Sequence, residues 1–139
     1  MDHSRLAIAV LISVAALAGC ASTAPLSYIE GVPWTKTDPT LYPVRVVSID
    51  SHIEFEGPSK AIMVSPGVRS LVLEAAPGES VRRHVQKPYA MRIEPCTHYY
   101  LAARKDSPIA GDWALVVDRK EPVSGCNPQE ELKKAGNLG

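Results

Sequence analysis

Several things are scarce in this chain of 139 residues. It has three cysteines and one phenylalanine, and only 6% of its residues are aromatic. It also has no excess of charge, because 15 Lys and Arg stand against 15 Asp and Glu. A neutral chain lacks the long-range field that gathers nucleic acid, so no nucleic-acid partner is expected. With 45% hydrophobic residues it is not an acidic disordered tail either. The length allows one domain and leaves little room for a dinucleotide cleft. HExxH, GxSxG and CxxC patterns are absent, and no nucleophile stands beside a base in a recognisable motif. The expectation is a protein that is not an enzyme, with no cofactor and no metal.

Long hydrophobic runs are limited to one, LAIAVLISVAALA at 6–18, interrupted by a single serine. A bilayer span needs about 20 apolar residues, so this run is too short to cross. It fits the apolar region of a secretory leader, preceded by a short n-region with Arg5. Ala18 and Gly19 are small enough for a peptidase to grip the chain beside a cut, and Cys20 follows them. The stretch Leu17-Ala18-Gly19-Cys20 resembles the lipobox of bacterial lipoproteins at all four positions. The resemblance implies diacylglyceryl transfer to the Cys20 thiol, cleavage before Cys20, and acylation of the new amine. Several acyl chains together attach a protein stably to a membrane, whereas one alone is marginal. Ala21 rather than Asp follows the cysteine. In a Gram-negative member of that family this implies outer-membrane sorting, with the domain facing the periplasm.

The chain therefore divides into a signal peptide at 1–19, a lipidated flexible tether at 20–40, and a domain at 41–139. The tether reading rests on Ser, Thr, Pro and Gly without any period. Within the domain, alternation predicts strands at 42–49, 52–55, 61–64, 68–74, 87–93, 97–103 and 113–117. In the first of these, Tyr42, Val44, Val46 and Ser48 share one side, with Arg45, Val47 and Ile49 on the other. Prolines lie between or at the ends of these runs, where a missing N–H costs least. The expected fold is all-β, a small β-sandwich or open barrel of about six or seven strands. A short C-terminal helix follows, with Asn127 as cap, Pro128 at the first helical position and Gly136 as stop.

With Cys20 lipidated, Cys96 and Cys126 remain as an even pair. An oxidising envelope makes a Cys96–Cys126 disulfide the natural reading. Zinc held by Cys96, His98 and Cys126, with His52 or His84 as fourth ligand, is the competing one. The candidate binding residues are His98, Tyr99 and Tyr100 on one strand, and the basic pair Arg82 and Arg83. Arginine forks there suit lipid phosphates, wall polymer or an acidic partner.

The segments VRVVSIDSHI, IMVSPGVRSLVLEA, RIEPCTHYYLAA and WALVV, with a late cysteine, are similar to a group of small bacterial lipoprotein domains. In style they resemble PEGA-like surface domains, although Asp50-Ser51 stands where those often have Asp-Gly. The resemblance implies an accessory or structural lipoprotein that docks on an envelope complex or wall polymer. The alternative is a small-ligand or metal-binding periplasmic module centred near His98.

Overall fold

The computed structural model describes residues 27–32, 38–54, 60–76 and 85–136. In chain order these form β1 (Ser27–Gly31), β2 (Leu41–Ile49), β3 (His52–Ile53), β4 (Ile62–Val64), β5 (Gly67–Ala75), β6 (Gln86–Ile93), β7 (Thr97–Arg104), β8 (Ala114–Pro122) and α1 (Pro128–Gly136). The fold is all-β with a short C-terminal helix, as the alternation predicts. The strands make one mixed sheet in the order β4-β1-β7-β2-β5-β6, with β3 on β2 and β8 on β7, and it does not close into a barrel.

β2 changes partner along its length. Leu41, Tyr42 and Pro43 pair with Arg104, Ala103 and Ala102 of β7. From Val44 onward the strand pairs with β5 instead, reaching Ile49 opposite Leu71. A strand that serves two neighbours in turn bends the sheet and lets both parts share a core. Ile29, Tyr99, Leu101 and Ala103 enter that core from one part, and Val44, Leu71, Leu73 and Ile93 from the other. Each large side chain buried this way contributes about 1.5–3 kcal/mol. Trp113 joins them with its indole N–H satisfied, donating to the Val85 carbonyl at 3.1 Å.

Simple alternation fails once in β2. The pairing register shifts between Val46 and Ser48, so the strand gains one residue against β5. This bulge resets the phase and turns Ile49, only 8% exposed, toward the core in place of Ser48. Burying isoleucine instead of serine is the physical gain.

The tether expected over 20–40 does not hold for Ser27–Gly31. β1 pairs parallel with β7 on one side and antiparallel with β4 on the other. Ser27, Ile29 and Gly31 are buried, and Tyr28 and Glu30 point to the opposite face. Strand pairing on both sides satisfies the backbone, and Ile29 is fully buried. The folded domain thus begins by Ser27 rather than at 41. Cys20, Arg82, Arg83 and His84 lie outside the described residues.

Cys96 and Cys126 form a disulfide, with Cα atoms 5.5 Å apart. Val123 N–H donates to the Cys96 carbonyl at 2.9 Å and fixes the same junction. Two residues beyond Cys126, α1 begins. Asn127 Oδ1 accepts from Gln129 N–H at 3.1 Å, the side-chain cap expected there. Glu130 and Glu131 occupy the first turn and Lys133 and Lys134 the last, complementing the helix dipole.

Candidate functional site

Strand pairing assembles a polar cluster on the outer face of β1, β7 and β8. In the parallel β1/β7 pair, Tyr28 stands opposite His98 and Glu30 opposite Tyr100. In the antiparallel β7/β8 pair, His98 faces Glu121 and Tyr100 faces Arg119. Alternation along each strand puts all six side chains on one side of the sheet.

Hydrogen bonds and stacking bind the cluster together. His98 Nε2 lies 3.0 Å from Glu30 Oε2, and both side chains are about one-fifth exposed, at 20% and 21%. That approach lacks hydrogen-bond alignment, so Nε2 has no hydrogen-bond partner among the described residues. The Tyr100 hydroxyl donates to Glu121 Oε2 at 3.0 Å. Its single proton is used there, so in the 3.4 Å contact with His98 the ring Nδ1 is the donor. The imidazole and phenol rings stack with centroids 4.3 Å apart and planes 17° apart. The Arg119 guanidinium carbon sits 3.7 Å from the Tyr100 centroid, and its Nε lies 3.0 Å from Glu121 Oε1. His98 and Arg119 thus both lie against the Tyr100 ring and occupy much of the surface on which a ligand could stack.

Tyr99 departs from the expected site. Side chains on a strand alternate, so Tyr99 points into the core and is 1% exposed. Its hydroxyl accepts from Glu94 N–H at 2.9 Å. Burial pushes the phenol pKa up, and the Glu94 backbone bond offsets part of that rise.

The zinc arrangement meets a chemical obstacle. Disulfide bonding removes both Cys96 and Cys126 sulfurs as thiolate ligands, leaving His98 alone of the three. Among the described residues no group of three or more His, Cys, Asp or Glu is placed to hold a metal ion.

Two other polar features stand out. Lys105 is 4% exposed, donates to the Ala76 carbonyl at 2.8 Å, and holds its ammonium 4.7 Å from the Tyr42 ring centre. Burial lowers its pKa. At the other end of β2, Asp50 and Ser51 both have positive φ, 47° and 70°. That is the backbone of a tight two-residue hairpin, and Asp-Ser supplies it without glycine. Asp50 is fixed there by Ser70 N–H at 2.9 Å and Arg69 at 3.0 Å, and these bonds hold its carboxyl below the usual range. An open concavity of about 260 Å³ lies alongside, reached by His52, Met63 and Arg69.

Of the expected binding residues, His98 and Tyr100 are brought together. Glu30 escaped notice because it sits in a Ser- and Pro-rich stretch. Arg119 and Glu121 escaped because β8 runs five residues past the expected end at 117, through the charged segment DRKEP. A charged edge strand carries little hydrophobic alternation. Comparison of the chain with protein-family models, curated proteins and solved structures finds no match.

Proposed function

We propose that this chain is an envelope lipoprotein, lipidated at Cys20, whose all-β domain is a non-enzymatic docking module. It faces the periplasm from the outer membrane and meets an envelope complex or wall polymer. The observation that carries this reading is the Cys96–Cys126 disulfide. Such bonds persist in oxidising compartments, and the lipobox-like Leu17-Ala18-Gly19-Cys20 implies the same destination. The PEGA-like character of the strands and turns adds to it. The outer-face cluster supports docking over ligand enclosure, because the Tyr100 ring already carries His98 and Arg119 against it. Arg82 and Arg83 supply guanidinium forks for acidic groups on the partner.

Feeding cells a palmitate analogue tests the anchor. The wild-type chain takes up label and sediments with membranes, and Cys20→Ala abolishes both. Labelling and membrane retention that survive Cys20→Ala contradict the reading. Crosslinking in native membranes then identifies the partner. Arg82→Glu with Arg83→Glu releases it, and unchanged retention excludes the basic pair from the contact.

A further inference from the structure

Lipidation at Cys20 has a geometric consequence for the domain. Only seven residue steps separate Cys20 from Ser27, where β1 begins. A fully extended chain spans at most about 3.6 Å per residue, so Ser27 stays within about 25 Å of the anchored cysteine. Ser27 is itself fixed. It is fully buried, its hydroxyl donates to the Glu94 carbonyl at 2.8 Å, and it accepts from Thr97 N–H at 3.4 Å. The neighbouring Cys96 is bonded to Cys126, and α1 starts two residues later. One end of the domain therefore carries the start of β1, the disulfide and the root of α1. The segment 105–112, which follows the far end of β7, lies at the opposite end.

α1 buries one acidic side chain and exposes its leucine. Glu131 is 5% exposed, and its Oε2 has no hydrogen-bond partner among the described residues. The next residue, Leu132, is 56% exposed, and Lys133 beside it is also exposed. An outward leucine flanked by a lysine suits the boundary between acyl chains and headgroups, where the apolar part sinks and the ammonium reaches phosphate.

We propose that the disulfide end of the domain faces the bilayer and that α1 rests on the phospholipid headgroups through Leu132 and Lys133. This orientation rests on the lipoprotein reading and adds to it which surface meets the membrane and which points away. Charges at this end are mixed, with Glu94 paired to Lys120 and Glu131 to Lys134. With charges of both signs paired there, the contact depends little on anionic lipid.

The test uses the full-length lipidated protein in nanodiscs of phosphatidylethanolamine and phosphatidylglycerol containing a nitroxide-headgroup lipid. Amide signals of Glu94, Cys96, Thr97 and 129–134 lose several-fold more intensity than those of Asp106, Ser107 and 109–111. Replacing phosphatidylglycerol by phosphatidylcholine leaves that pattern in place. Leu132→Glu with Lys133→Glu keeps the protein attached through its lipid but restores the 129–134 signals. Uniform broadening, broadening greatest at 106–111, or an unchanged pattern in the double variant overturns the orientation while leaving the anchor standing. A chain that carries no lipid at Cys20 overturns the anchor, and the orientation with it.

Discussion

The hydroxyl of Ser27 donates to the carbonyl oxygen of Glu94 at 2.8 Å, tying the start of the first strand to the turn that carries Cys96. The two residues are 67 positions apart, and Ser27 is fully buried. β1 is thus an inner strand of the sheet, placed between β4 and β7. Removing it uncovers Ile29's place in the core and an edge of β7. A chain that starts at residue 41 is expected to lose cooperative unfolding in urea. Ser27→Ala, which removes the donor to the Glu94 carbonyl and the acceptor for Thr97 N–H, lowers stability by about 1 kcal/mol.

The disulfide stabilises by limiting the unfolded chain. Cys96 and Cys126 are 30 positions apart, and closing a loop of that length is worth about 3.5 kcal/mol in the chain-entropy picture. Replacing both cysteines with alanine is expected to lower the unfolding free energy by that order. Urea titrations of the wild type with and without reductant should differ by the same amount, while the double variant ignores reductant.

The Asp50-Ser51 hairpin turn holds serine at φ 70°. Glycine adopts that conformation without the Cβ penalty, and an asparagine or aspartate before it completes the preferred pair. Ser51→Gly is expected to raise stability by about 0.5–1 kcal/mol. Thermal unfolding monitored by circular dichroism checks it, and a lower midpoint contradicts it.

Lys105 gives a pH signature. Its pKa is lowered by burial from the ordinary 10.5. Below the lowered pKa both folded and unfolded chains carry the proton, and the cost of burying the charge is fully present. Between the lowered and the ordinary pKa the folded chain sheds its proton while the unfolded chain keeps it, so stability rises with pH across that window. Lys105→Met removes this rise. Tyr99 acts the opposite way, because its raised pKa makes the folded chain keep a proton above pH 10.0 that the unfolded chain loses. Comparing the two proteins by urea unfolding on the alkaline side, below pH of about 10, isolates the lysine. Parallel pH profiles for the two proteins contradict the assignment.

Tyr99→Phe removes the hydroxyl that accepts from Glu94 N–H and is expected to cost about 1 kcal/mol, whereas Tyr99→Ala opens a cavity and costs about 3–5 kcal/mol. Denaturant midpoints separate the two, and equal losses contradict a ring that fills the core.

Strands with strong alternation were legible from the residues. β5, β6 and β7 lie within a residue of the expected limits because Leu71, Leu73, Ile93, Tyr99 and Leu101 mark one face clearly. β1 was not legible, since a single isoleucine in five residues gives no period and its burial depends on β4 and β7. The charged second half of β8 hid for the opposite reason, because an edge strand needs no apolar stripe. The bulge at Val46/Ser48 is a property of pairing with β5 and leaves no local mark. The site divides along the same line. His98 and Tyr100 stood out as neighbours in sequence, but Glu30, Arg119 and Glu121 reach them only through register. Tyr99 looked like a member because it neighbours both in sequence, but adjacency on a strand means opposite faces in space.

The most direct test of the central claim is the mass of the mature amino-terminal peptide from membranes. The account predicts that this peptide begins at Cys20 and carries a diacylglyceryl thioether and an acylated amine. An unmodified peptide beginning at Met1, or a cut elsewhere with a free Cys20 thiol, contradicts it.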